Sequence, residues 1–246
     1  MQSKINIRGV QIDNVDLSEA LHKVVAYEQQ PDVHAVYTPN AEIMQACIED
    51  PTLRSLFNAA ELVIPDGAGV VLASKILKTP LKAKTPGYEL GLAVAEHAAA
   101  HNIALYFLGG KPGVAQLAAE KLQARYPGLN VAGVHDGYFE KSGMQNDAVC
   151  DAIRQSGAVV LYVCLGAPAQ EEWIAQNREK LGNVRVAMGL GGSLDGYAGI
   201  VKRAPSLLIK LRLEWLWRLL RQPSRLGRML KIPKFIFGTL FCKNKH

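Results

Sequence analysis

Leu105-Tyr106-Phe107-Leu108-Gly109-Gly110-Lys111-Pro112-Gly113-Val114 holds the fold of this chain in ten residues. A short apolar run gives way to a glycine turn, and the turn opens onto a helical pattern near 112–125. A run that is apolar on both faces suits a parallel strand covered by helices on each side. The unit recurs along the chain. The pattern predicts strands at Val33–Tyr37, Leu62–Ile64, Ile103–Leu108, Asn130–Val134, Val159–Leu165 and Val184–Met188. Helices are expected near 18–29, 40–60, 68–77, 87–101, 112–125, 143–156 and 169–181. Such alternation gives an α/β fold, a Rossmann-like and mostly parallel sheet with flanking helices.

Composition agrees. Of 246 residues, 49% are hydrophobic and 20% charged, ample for a core and unlike a disordered chain, a collagen or a coiled coil. Cys47, Cys150, Cys164 and Cys242 lie far apart and form no C-x-x-C, which argues against a disulfide scaffold or zinc ribbon and suits a reducing cytosol. The first six residues have neither the apolar stretch nor the cleavage site of a signal peptide. No run of ~18 apolar residues is present, so no membrane span is expected.

Charge divides the chain in two. Residues 198–246 hold 12 lysines and arginines against one acid, Glu214, for a net +11. Residues 1–197 hold the other 16 basic and 21 acidic residues, for a net −5. We therefore expect an α/β core over 1–197 and a basic, helical C-terminal appendage over 198–246. The appendage is also rich in leucine, tryptophan and phenylalanine. Lys210, Arg218 and Arg221 share one face of a predicted helix, which Pro223 ends or kinks. Arg225, Arg228, Lys231 and Lys234 follow, then the short apolar run Phe235–Phe241. Cationic side chains interleaved with aromatics favour an anionic membrane surface, where each contributes about 1 kcal/mol. Plain packing against the core is the alternative. Nucleic-acid binding is disfavoured, because none of its sequence signatures appears.

Ligands of parallel sheets bind at the carboxyl ends of the strands. Each strand end here carries polar or glycine-rich sequence. Thr38-Pro39-Asn40 offers a hydroxyl and an amide that either cap the next helix or meet a ligand. Pro65-Asp66-Gly67 puts a carboxylate where it either takes a proton from a substrate hydroxyl or serves the turn. Gly109-Gly110 opens onto a helix N-terminus suited to an anion, or is simply a tight turn. Gly166-Ala167-Pro168-Ala169-Gln170-Glu171-Glu172 starts another helix, with Gln170 in its first turn and the two glutamates complementing its dipole. Gly189-Leu190-Gly191-Gly192-Ser193-Leu194-Asp195 permits close backbone approach at Gly191 and adds a second carboxylate, Asp195.

Other chemistries lack their marks. His97 and His101 are one helical turn apart without a third metal ligand nearby, so no metal site is expected. There is no D-x-D, no G-x-S-x-G and no G-x-G-x-x-G, the last arguing against a nicotinamide-dependent oxidoreductase.

Taken together, these segments resemble the WecG/TagA/CpsF glycosyltransferase family, which includes wall teichoic acid N-acetylmannosaminyltransferases and enterobacterial common antigen N-acetylmannosaminuronosyltransferases. Also matching are Asp136-Gly137-Tyr138-Phe139, Val201-Lys202-Arg203-Ala204-Pro205, Leu213–Leu220 and Gln222-Pro223-Ser224-Arg225, so the likeness covers nearly the whole chain in order. The resemblance implies an inverting, metal-independent transferase with no cofactor. It would work at the inner face of the cytoplasmic membrane. It would move N-acetylmannosamine from UDP to the 4-hydroxyl of GlcNAc on undecaprenyl diphosphate, with the mannosaminuronate or another UDP-hexose as the alternative donor. By the same resemblance Asp66 is the base, and Thr38, Asn40 and Gln170 line the cleft. Lys84, Gly110, Gly191 and Asp195 complete the expected substrate site. Arg203, Arg218, Arg221, Arg225 and Arg228 are expected to meet the diphosphates and the lipid. Many family members have R-x-x-G-x-D where this chain has Lys84-Thr85-Pro86-Gly87-Tyr88-Glu89. Lysine keeps the charge without arginine's planar fork. A non-catalytic membrane adaptor is the rival from another class; it would explain the tail but not the polar residues at the strand ends. A homo-oligomer away from the membrane is the remaining partner the sequence allows.

Overall fold

The computed structural model describes residues 3–201, 227 and 230–242. The chain opens with an antiparallel hairpin, β1 (Lys4–Ile7) and β2 (Val10–Asp13). Arg8 and Gly9 turn it with φ of 53° and 94°. The left-handed pair matches the twist of the flanking strands. Helix α1 (Leu17–Glu28) follows, its start fixed by a capping box between Asp16 and Glu19.

The main sheet then begins: β3 (His34–Tyr37), α2 (Ala41–Glu49), α3 (Pro51–Asn58), β4 (Leu62–Val63), α4 (Ala68–Ile76), α5 (Gly87–His101), β5 (Ala104–Gly109), α6 (Val114–Arg125) and β6 (Asn130–His135). It is completed by α7 (Gly143–Ser156), β7 (Val160–Cys164), α8 (Ala169–Asn177), β8 (Val186–Gly189) and α9 (Ser193–Tyr197). The strand order is β4-β3-β8-β7-β5-β6, with every neighbouring pair parallel. This is the expected Rossmann-like sheet. The single helix expected over 40–60 is two, because Pro51 cannot continue α2 and Asp50 caps α3 through the Thr52 and Leu53 N–H groups. The hairpin was not anticipated.

Alternation within the strands feeds two cores. Leu105 and Phe107 join Val36, Leu90 and Tyr162 on one face. Tyr106 and Leu108 join Tyr37, Met44, Phe57 and Trp173 on the other. The hairpin is tied to the sheet by Asp13, a side chain 1% exposed, whose Oδ2 accepts from Val63 N at 3.0 Å. Lys4 and Lys23 each stand 3.4 Å from that carboxylate.

A last helix, α10 (Lys231–Leu240), packs on α2 and α4. Phe235 is fully buried, and Ile232 and Ile236 are partly buried beside it. Lys234 and Lys231 reach Glu49 at 2.6 and 3.5 Å. Leu230, Phe237, Leu240 and Phe241 are exposed. The apolar run at 235–241 thus divides between core packing and an open face. No helix among the described residues is long and apolar enough to cross a membrane.

Candidate active site

The carboxyl ends of five strands form one row. Tyr37 lies in register with Val63 on one side and Gly189 on the other, Gly189 with Val163, and Cys164 with Gly109. The loops that follow these residues therefore meet on one rim.

Asp66 is half-buried, just before the start of α4. Its Oδ2 faces Gly87 N at 3.5 Å, at the positive N-terminus of α5. Gly87 is tight against Thr38: a Cβ there would lie 2.8 Å from Thr38 Cγ2. Thr85 N donates to Pro65 O at 2.9 Å, which draws the Lys84–Pro86 strand of chain alongside Asp66. Lys84 is half-buried in that stretch. Asn40 caps α2, its Oδ1 accepting from Glu42 and Ile43 N–H. A Cβ on Gly67 would sit 3.8 Å from Asn40 Cβ, so Asn40 borders the Asp66 turn. Thr38 is not a cap. Its hydroxyl donates to Gly189 O at 2.9 Å and joins the ends of β3 and β8.

Gln170 is 2% exposed in the first turn of α8. Its Oε1 accepts from Gly191 N at 2.9 Å and its Nε2 donates to Glu171 Oε1 at 2.8 Å. The amide thus braces the glycine turn after β8. Asp195 follows that turn on α9, and its backbone oxygen accepts from Ile200 and Val201 N–H. Thr38, Asn40, Asp66, Gln170 and Gly191 are brought together in this way.

Gly110 lies farther along the rim. Four strand spacings separate the ends of β4 and β5, about 19 Å at ~4.8 Å each. Only glycine fits at Gly109, whose φ is 132° and whose Cβ would lie 2.3 Å from Cys164 O. Gly110 O accepts from Gly137 N at 2.8 Å, which joins this turn to the loop after β6. Beside it is a pocket of about 390 Å³ lined by His135, Asp136, Tyr138, Phe139 and Gln145 among others. Lys141 fastens the loop by donating to Gly137 O and Phe139 O and covering the Phe139 ring at 3.6 Å.

Two features escaped the sequence reading. One is this pocket. The other is the burial of Glu171, which is 1% exposed and whose carboxyl burial pushes up to about 7. The helical spacing of Gln170, Trp173, Ile174 and Asn177 was its signal, since Glu171 shares their inward face. His97 bonds Glu28 at 3.2 Å and stacks on His101. Among the described residues no three metal-ligating side chains cluster. Arg203, Arg218, Arg221, Arg225 and Arg228 lie outside the described residues.

A carboxylate beside a helix N-terminus can take a proton from a hydroxyl, and glycine turns that open onto helix N-termini can receive an anion. The profile of the Glycosyl transferase WecG/TagA/CpsF family matches residues 5–246. A Bacillus spizizenii protein named N-acetylglucosaminyldiphosphoundecaprenol N-acetyl-beta-D-mannosaminyltransferase is 35% identical over 94% of this chain and 89% of its own length. A Staphylococcus aureus protein of the same name is 33% identical over 99% of this chain and 94% of its own.

Proposed function

The chain belongs to the WecG/TagA/CpsF family of glycosyl transferases, and on that premise we propose that it moves N-acetylmannosamine from UDP to the 4-hydroxyl of GlcNAc on undecaprenyl diphosphate. The acceptor and the sugar are those in the names of the Bacillus and Staphylococcus relatives. The observation that carries the reading is the setting of Asp66, a half-buried carboxylate turned toward the N-terminus of α5 and bordered by Asn40 and Thr38.

Asp66 takes the acceptor proton as the hydroxyl oxygen bonds to C1 of the sugar. Attack comes from the face opposite UDP, so the configuration inverts. The C1–O bond to the β-phosphate breaks and its electron pair leaves with UDP. Preorganised donors favour that developing charge. In this reading the backbone around Gly191 supplies some of them, while Gly110, about 19 Å along the rim from the end of β4, meets a more distant part of the donor. Lys84 and Asp195 flank the sugar, and Arg203, Arg218, Arg221, Arg225 and Arg228 meet the diphosphates, for which the arginine fork is suited.

The acceptor is a lipid, so the enzyme must meet it at a bilayer, here read as the cytoplasmic face of the cell membrane. The open apolar face of α10 and the +11 charge of residues 198–246 support peripheral binding.

The test is acceptor-dependent UDP release from UDP-N-acetylmannosamine and a lipid-diphosphate-GlcNAc. Asp66→Asn keeps the shape of the side chain and removes the base. Turnover should fall by about 10²- to 10⁴-fold, the usual contribution of a positioned base. Wild-type turnover in the variant would remove Asp66 from that role.

A further inference from the structure

Glu171 is a carboxylate that the packing does not call for. Its Oε1 accepts from Gln170 Nε2, and its Oε2 has no hydrogen-bond partner among the described residues. Among the described residues, Tyr37 of β3, Cys47 of α2 and Glu172 of α8 are the titratable groups that bear on it, and none of these is a cation. The Tyr37 hydroxyl donates to the backbone oxygen of Glu171 and not to its carboxylate. A buried acid in such surroundings costs stability, and an apolar side chain of similar volume would cost less.

The carboxylate sets the donor end of the neighbouring amide, as the Gly191 N–H sets its acceptor end. A glutamine amide accepts at one end and donates at the other, whereas Glu171 Oε1 can only accept. Nε2 of Gln170 must then face Glu171, and Oε1 must face Gly191 N. Protonation at Oε2 leaves this arrangement intact. Gly191, with φ of 58°, shapes the turn between β8 and α9. At the start of that turn Gly189 O receives the Thr38 hydroxyl, and Thr38 borders Gly87 and hence Asp66.

We propose that Glu171 is a positioning residue for the transfer reaction: by orienting the Gln170 amide it holds the Gly189–Gly192 turn in the shape that receives the substrate. The inference rests on the transferase reading of the cleft.

Glu171→Met deletes the acceptor, keeps the unbranched length of the side chain and removes the buried acid. Three quantities are measured on the full chain: melting temperature, amide exchange at Gly191 by NMR, and kcat and KM for transfer. Positioning predicts opposite signs. The melting temperature holds or rises, Gly191 exchanges about tenfold faster or more, and kcat/KM falls by a similar factor. Glu171→Gln keeps an acceptor oxygen and should lose less on both counts. A Glu171→Met protein that loses stability and turnover in step, or fails to fold, overturns the proposal, since that is what a purely structural role gives. So does one with wild-type exchange and wild-type turnover. If the wild type itself transfers no sugar, the transferase reading fails, and Gly191 exchange still reports separately whether Glu171 holds the turn.

Discussion

Replacing Phe235 by alanine separates the two ways in which α10 is held. The ring is fully buried between α10 and the helices beneath it, α2 and α4. Emptying such a site costs about 3–5 kcal/mol. The polar links are weaker. Lys234 and Lys231 meet Glu49 with side chains 66%, 39% and 35% exposed, so water screens both pairs. The Arg8 guanidinium reaches Phe235 O only at 3.5 Å. A ten-residue helix whose one fully buried apolar side chain is this ring should come away when the ring is lost, while the sheet stays folded. A loss of 3 kcal/mol corresponds to about 100-fold more frequent opening. Hydrogen exchange read by mass spectrometry measures this directly. Peptides from α10 should exchange about 100-fold faster in Phe235→Ala, and peptides from β5 and β7 should be unchanged. Lys234→Ala should change α10 little. The reasoning fails if Lys234→Ala loosens the helix as much as Phe235→Ala. It fails equally if α10 and the central strands lose protection together.

Two further outcomes follow from the same physics. The Glu171 carboxyl goes from 4.5 in the unfolded chain to about 7 in the fold, so the folded state holds the extra proton between those values. Stability from this group is therefore greatest below pH 4.5 and is lost as pH rises through 7, by about 3 kcal/mol. Denaturation midpoints at pH 5 and pH 8 should differ more favourably toward acid in the wild type than in Glu171→Gln; equal pH dependence would contradict this account of the site. On α10 and at the residue that follows it, Phe237→Ser with Phe241→Ser alters two exposed rings, and the melting temperature should hold. Sedimentation with anionic vesicles should drop sharply; undiminished pelleting would show that this face does not meet lipid.

The elements most readable from sequence were those whose periodicity is saturated locally. Val160–Cys164 and Leu105–Leu108 are apolar on both faces and became central strands. Asn40 became the cap its type suggests. What escaped depended on partners distant in sequence. Ile5, Ile7, Val10 and Ile12 alternate as a buried hairpin should, but four-residue strands around an Arg-Gly turn give too little signal to stand alone. Thr38 looked like a second cap, and its partner is instead 151 residues away on Gly189. Gln170 was expected near the cleft. Its place in the first turn of the helix after β7 was legible from the strand-to-helix pattern, whereas the use of both ends of its amide, on Gly191 and Glu171, belongs to the meeting of α8 with the turn after β8.

Asp13 has a consequence for how these molecules behave when crowded. β4 is an outer strand of the sheet, and Val63 turns its N–H away from β3, toward what would otherwise be open water. An unpaired amide on a strand edge is a template on which another chain can add. Here a carboxylate already fills that position, is buried under the hairpin, and is neutralised by two lysines. A foreign strand would have to displace a charge-assisted bond and strip away β1 and β2 before it could pair. That margin of the sheet is therefore sealed by a side chain, which disfavours strand-to-strand polymerisation on that side.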